Sequence, residues 1–245
     1  MKILILKPSS LGDVVQALPV LRLLKRNFPS SEIHWWISQD LQPLLEYDPD
    51  LMGIIPFERR GWARPANWKR LMQSVARARA MRFDWVIDLQ ALARSALFGW
   101  LASGRFFIGL DDSREGAPAL YDRAVPRPSF HTHAVDWYLE VLKSLGVPVH
   151  WDFDWLPVRP EIEASVERRW PRADDRWILL NPGARWPNKR WPAESFAELA
   201  VILSRRMPGA RFAVLGGSSD VPLAKTISKA VEGRCVDLTG QTSLP

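Results

Sequence analysis

The sequence predicts an α/β fold of two domains with mainly parallel sheets, the second domain incomplete, and three observations predict it. Short apolar or β-branched runs alternate with longer stretches of helical periodicity, the pattern of βαβ units. A stretch at 147–160 carrying Pro148, Pro157 and Pro160 interrupts that rhythm and reads as a linker. A second cycle of strands and helices then begins and reaches three strands. The domains are therefore expected at 1–155 and 156–245.

Each element follows from its own pattern. Residues 2–7 contain an Ile-Leu-Ile-Leu run and read as a strand. Val14, Ala17, Leu18, Leu21 and Leu24 share one face of a helix over 13–26, which Pro19 is expected to kink or shorten. Strands follow at 32–37 and, weakly, at 53–57, with a short helix near 41–47 between them. Helices at 68–79 and 92–101 alternate with strands at 85–88 and 105–109. A helix over 133–145 is ended by Gly146. Beyond the linker, helices are expected at 161–169, 193–206 and 221–231, and strands at 177–181, 211–216 and 235–238. Residues 241–245 read as the start of a further helix, so the chain is expected to be a C-terminally truncated piece.

Composition narrows the class. With 245 residues, 47% of them hydrophobic and 24% charged, the chain can bury a sizeable core. Its one cysteine, Cys235, permits no internal disulfide, which suits a reducing compartment; it reads as a small buried side chain in a strand. The apolar run after Met1-Lys2 is too short for a signal-peptide core, and no run of about 18 apolar residues occurs. A cytoplasmic protein, peripheral to a membrane at most, is expected. The net charge of +6 permits nucleic acid, anionic lipid or phosphorylated ligands. Arg59, Arg60, Arg64, Lys69, Arg70, Arg77, Arg79 and Arg82 face one acid, Glu58, in a single stretch, and several of the 13 tryptophans sit beside such charge. That stretch reads equally as a solvated helix face with its loop.

Two loops fall at strand carboxyl ends, where open parallel sheets bind ligands. The first is Lys7-Pro8-Ser9-Ser10-Leu11-Gly12-Asp13. Ser9, Ser10 and Gly12 let backbone approach a ligand, and Asp13 can serve as a general base. The same spacing also makes a capping box, with Ser10 as N-cap and Asp13 three residues on. The second loop, 181–192, brings Arg185, Lys189 and Arg190 to a strand end, as binding of a diphosphate requires, or as a basic surface loop does without function. No G-x-G-x-x-G is present, which argues against a nicotinamide-dependent oxidoreductase. Asp48-Pro49-Asp50 and Asp152-Phe153-Asp154 read as turns rather than metal sites, and His131-Thr132-His133 lacks the further ligands of a zinc site.

Asn181-Pro182-Gly183-Ala184 followed by Trp186-Pro187-Asn188-Lys189-Arg190-Trp191-Pro192 resembles the signature loop of glycosyltransferase family 9, the ADP-heptose:lipopolysaccharide heptosyltransferases and their relatives. The run from Lys7 to Val15 resembles that family's first loop. Val86-Ile87-Asp88-Leu89-Gln90 with Arg94-Ser95, Arg114-Glu115-Gly116 and His133-Ala134-Val135-Asp136 continue the likeness in order. The resemblance implies a GT-B fold: two Rossmann-like domains across a cleft, the first binding acceptor and the second the nucleotide sugar. It implies inverting transfer of heptose from ADP-heptose to the inner core of lipopolysaccharide, with no metal, cofactor or nucleic acid. Asp13 matches the family's catalytic aspartate and Lys189 its phosphate-binding lysine. Arg185, Gly183 and Ala184 would lie by the diphosphate or ribose, and Asp220 would contact the nucleoside.

The sequence departs from the family in three places. Arg185 stands where relatives carry a small Ser or Thr, and Ala91 replaces a common glycine. An Asp-Thr-Gly-Pro-Met-His-type donor loop does not occur in these 245 residues. Two readings stay open beside heptose transfer: a related enzyme with another sugar-nucleotide donor, and an inactive piece that binds anionic ligands only.

Overall fold

The structure, a computed structural model, describes residues 1–58, 68–171, 176–184 and 186–244. Arg59, Arg60, Trp62, Arg64 and Arg185 lie outside the described residues. The chain forms two compact units, Met1–Val158 and Arg159–Pro245.

The first unit is a six-stranded parallel sheet in the order β3-β2-β1-β4-β5-β6: β1 (Lys2–Leu6), β2 (Glu32–Ser38), β3 (Gly53–Phe57), β4 (Trp85–Asp88), β5 (Phe106–Leu110) and β6 (Arg123–Val125). All pairings are parallel, so helices must cover both faces. The strands alternate accordingly. Ile3 and Ile5 point to a core shared with α1 (Leu11–Asn27) and α5 (Ala134–Ser144). Leu4 and Leu6 point to another shared with α3 (Trp68–Met81) and α4 (Ala93–Ala102). The chain winds outward from β1 to β3, then restarts at β4 on the other side of β1, so strand order reverses between β1 and β4.

Three expectations are corrected here. Pro19 does not break α1, which continues for 17 residues; the buried face around Pro19 offsets the one hydrogen bond that proline cannot donate. The short helix near 41–47 is a 3-10 turn at Gln39–Leu41 running into α2 (Gln42–Leu45). Strand β6 was not expected: three residues are too few for a periodic signal, and tertiary pairing with β5 is what defines it.

The proline-rich stretch is laid on the first unit instead of hanging free. The Arg22 guanidinium donates to the Trp155 carbonyl at 3.2 and 3.3 Å, and Phe153 and Trp155 pack on the α1 core. The same guanidinium grips buried Asp48 at 2.5 Å and Asp50 at 2.6 Å. Asp48 also caps its own turn through the Asp50 N–H, so that Asp-x-Asp pair is a turn, and a buried ion pair besides.

The second unit has β7 (Arg176–Leu180), β8 (Ala210–Val214) and β9 (Cys235–Asp237) in that order, all parallel. Helices α7 (Ala193–Arg206) and α8 (Val221–Ala230) pack against its core, and α6 (Pro160–Arg169) precedes β7. Cys235 is half-buried on β9 beside the Ser228 hydroxyl. Residues 241–244 do not continue into the expected helix. Gly240, at φ 70°, turns the chain, and Gln241 bonds back to the Leu238 and Asp237 carbonyls. No helix among the described residues is long and apolar enough to cross a membrane.

Candidate active site

The reversal of strand order opens a crevice at the carboxyl ends of β1 and β4. There a concavity of about 550 Å³ is lined by Lys7, Asp13, Gln90, Arg114, Arg127 and Tyr138, among others. Lys7 ends β1 with its side chain buried. Its ammonium donates to the Leu89 carbonyl at 2.9 Å, across the reversal, and lies 5.0 Å from the Tyr138 ring centre. Burial, with a smaller push from Arg114, lowers its pKa to about 8, while Asp13 and Asp88 act against the fall.

Asp13 sits in the first turn of α1. Its Oδ2 accepts the Ser10 N–H at 2.9 Å and the Ser10 hydroxyl at 2.7 Å. The capping role and the chemical one do not compete, because Oδ1 has no hydrogen-bond partner among the described residues and the side chain lines the concavity. Burial pushes the carboxyl up, but the Ser10 hydrogen bonds and the Lys7 charge outweigh it and hold the pKa below its ordinary value. Asp13 is therefore anionic at neutral pH. Ser9 is buried and Ser10 exposed, while a side chain at Gly12 would meet nothing within 4 Å, so backbone there stands open to a ligand.

Asp88, fully buried at the end of β4, shapes the neighbouring turn. It accepts the N–H groups of Gln90 and Ala91 at 2.8 and 3.1 Å and the Tyr121 hydroxyl at 3.0 Å. Burial raises its pKa against these hydrogen bonds. The turn places Ala91 at φ 53°, in the left-handed region that glycine favours. Opposite, Arg114 is paired with Asp112 at 2.6 Å, and Arg127 lies over the Trp137 ring at 5.4 Å and bonds the Thr132 carbonyl. His133 caps α5 by accepting the Val135 N–H, which accounts for it without a metal.

Lys7, Arg127 and Tyr138 received no role from sequence. Lys7 and Arg114 stand in motifs already quoted, but a basic residue ending an apolar strand shows its value only once a second strand end lies beside it.

In the second unit, the loop after β7 is held by its own charges. Arg190 donates from Nε to the Ala184 carbonyl at 2.7 Å and lies 3.7 Å from Asp220. Its guanidinium thus helps to shape the loop. Asp220 is buried after β8; its Oδ2 accepts the Gly217 N–H at 3.0 Å, and its Oδ1, itself buried, has no hydrogen-bond partner among the described residues. A Cβ on Gly183 would stand 2.5 Å from this carboxylate, so the loop needs glycine there for close approach. Lys189 ends an exposed 3-10 turn, Pro187–Lys189, with no partner among the described residues. Among the described residues no group of three or more His, Cys, Asp or Glu can hold a metal ion.

Comparison with known proteins adds the following. Residues 68–245 match the sequence profile of glycosyltransferase family 9 (heptosyltransferase). The chain is 28% identical over 217 residues to lipopolysaccharide heptosyltransferase 1 of Pseudomonas aeruginosa, covering 84% of this chain and 59% of that protein. It superposes on a glycosyltransferase family 9 structure from Veillonella parvula with a TM-score of 0.83 at 25% identity, covering 99% of this chain and 70% of that one. For E. coli heptosyltransferase WaaC with ADP-2-deoxy-2-fluoro heptose the TM-score is 0.78 at 25% identity, covering 100% of this chain and 78% of that one. The α/β fold of GT-B type with parallel sheets is thereby the one observed.

Proposed function

Because this chain belongs to glycosyltransferase family 9 (heptosyltransferase), we propose that it transfers a heptose from ADP-heptose to the inner core of lipopolysaccharide, in the Kdo–lipid A region, on the cytoplasmic face of the inner membrane. The first unit is the acceptor side and the second the donor side. Relatives named as lipopolysaccharide heptosyltransferases, and the WaaC structure with an ADP-heptose analogue, support this reading. The observation that carries it is the Asp13 carboxylate: one oxygen fixed by Ser10, the other unpartnered at the strand-order reversal.

The chemistry follows from charge. The acceptor hydroxyl attacks the anomeric carbon, and its proton passes to Asp13 Oδ1 as the new C–O bond makes that hydroxyl strongly acidic. A carboxylate held anionic by Ser10 and Lys7 is ready for this at neutral pH, although a weak base toward a free alcohol. The anomeric C–O bond to the diphosphate breaks with its electron pair, and attack from the opposite face inverts the configuration. Negative charge then gathers on the leaving diphosphate, where Lys189 and Arg185 neutralise it in place of a metal. The Gly183 and Ala184 backbone lies along the diphosphate or ribose, and Asp220 contacts the nucleoside. Lys7, Arg114 and Arg127 give the acceptor side a cationic wall suited to the carboxylates and phosphates of the core.

The test is heptose transfer from ADP-heptose to a Kdo-bearing lipid A acceptor, with Asp13→Asn beside the wild type. A loss on the order of 100- to 10,000-fold in kcat is expected, with melting temperature unchanged. Equal turnover would remove Asp13 as the base, and wild-type transfer from a different sugar nucleotide alone would change the donor.

A further inference from the structure

The two helical layers of the first unit differ in charge and in exposed apolar surface. The helices α1 and α5 carry four cations (Arg22, Lys25, Arg26, Lys143) and three acids (Asp13, Asp136, Glu140). The helices α3 and α4 carry five cations (Lys69, Arg70, Arg77, Arg79, Arg94) and no acid. No acid occurs anywhere in 59–83 or 89–110. On the α3–α4 side Trp68 is 60% exposed, Met72 50%, Leu97 40% and Trp100 56%, whereas Leu11 is the one large apolar side chain that α1 and α5 expose. Arg70 pairs with Glu58 at 3.0 Å, while Lys69, Arg77 and Arg79 have no carboxylate partner among the described residues.

We propose that the outer face of α3 and α4 docks on an anionic lipid bilayer. Both helices cover the same face of the sheet, over one shared core, so their outward residues form one surface. On it Trp68, Met72, Leu97 and Trp100 stand among Lys69, Arg77 and Arg79. Aromatic and apolar side chains enter the interfacial layer while the cations meet lipid phosphates. A nucleic acid would use the cations but gives no reason for Met72 and Leu97 to be exposed beside them. Helix α4 begins just after the β4 end, where Leu89, Gln90 and Ala91 line the concavity, so docking here holds that concavity at the level of lipid headgroups. The surface deepens the proposed function, resting on it only for the direction from which a lipid-linked acceptor arrives; its own support is charge and exposure.

Vesicle co-sedimentation without donor or acceptor tests it. Wild type is expected to bind vesicles of phosphatidylglycerol and phosphatidylethanolamine, to release them with added salt, and to ignore phosphatidylcholine. Lys69→Ala with Arg77→Ala and Arg79→Ala is expected to weaken binding on the order of 100-fold. Trp68→Ser with Trp100→Ser is expected to weaken it while leaving its salt dependence. Arg205→Ala with Arg206→Ala and Lys229→Ala removes as many exposed cations from the second unit and is expected to change nothing. Equal loss in both triple variants would mean that total charge governs binding, and would overturn the proposal. So would absence of wild-type binding, or tighter binding of the α3–α4 face to duplex DNA than to vesicles. Because no transfer is measured, a failed heptosyltransferase assay leaves this result standing, and the reverse.

Discussion

The carboxyl ends of the two sheets prepare a ligand site in opposite ways. In the first unit charged groups line a space: buried Lys7 is drawn onto the Leu89 carbonyl, and half-buried Asp13 keeps one oxygen open. In the second, among the described residues, Arg190 bonds the Ala184 carbonyl and lies beside Asp220, Asp220 stands against Gly183, and Lys189 is exposed. The first arrangement tunes protonation; the second fixes a backbone and leaves Lys189 exposed.

Several experiments can break or sharpen this contrast. After the loss expected for Asp13→Asn, the largest effect is expected at Lys189. A charge-assisted hydrogen bond to phosphate is worth about 1.5–3 kcal/mol, so Lys189→Met is expected to weaken ADP-heptose binding on the order of 10- to 100-fold while thermal stability holds. Calorimetric titration showing unchanged donor affinity would remove that lysine from the donor side. At Gly183 a methyl would collide with the Asp220 carboxylate at 2.5 Å. Gly183→Ala is expected to cost about 1–3 kcal/mol in urea unfolding and to weaken donor binding with it. A neutral result would show that the loop yields where it is described as tight.

The next effect concerns the first unit alone. Lys7 titrates near 8 when folded, below its ordinary 10.5. Between those values the unfolded chain holds more protons, so this residue makes stability rise with pH across that window, and its penalty is fully present below about pH 8. The difference in unfolding free energy between wild type and Lys7→Met, followed from pH 7 to 10.5, is expected to shift in favour of wild type. A flat difference would mean that Lys7 is not desolvated as its position requires. The smallest effect is at Ala91, whose left-handed backbone costs about 1 kcal/mol relative to glycine. Ala91→Gly is expected to raise stability by up to that amount. A loss of stability would show that the buried methyl contributes more packing than its backbone costs.

The sequence alone determined most of the elements and the two strand-end loops, because apolar periodicity and turn residues are local and most elements carry their own signal. The helix over 193–206 and the strands at 53–57 and 85–88 are seen where periodicity placed them. The loops that hold Asp13 and Lys189 were legible as connections leaving strand carboxyl ends, which is where they lie. What neighbours a strand end was not legible. That Lys7 reaches Leu89, 82 positions away, that Arg22 locks Asp48, and that Arg190 turns inward to Ala184 follow from strand order and burial. Only the tertiary structure decided which cations are used up and which stay open, because the strength and partner of a charge depend on its desolvation and distance, and neither is a property of spacing along the chain.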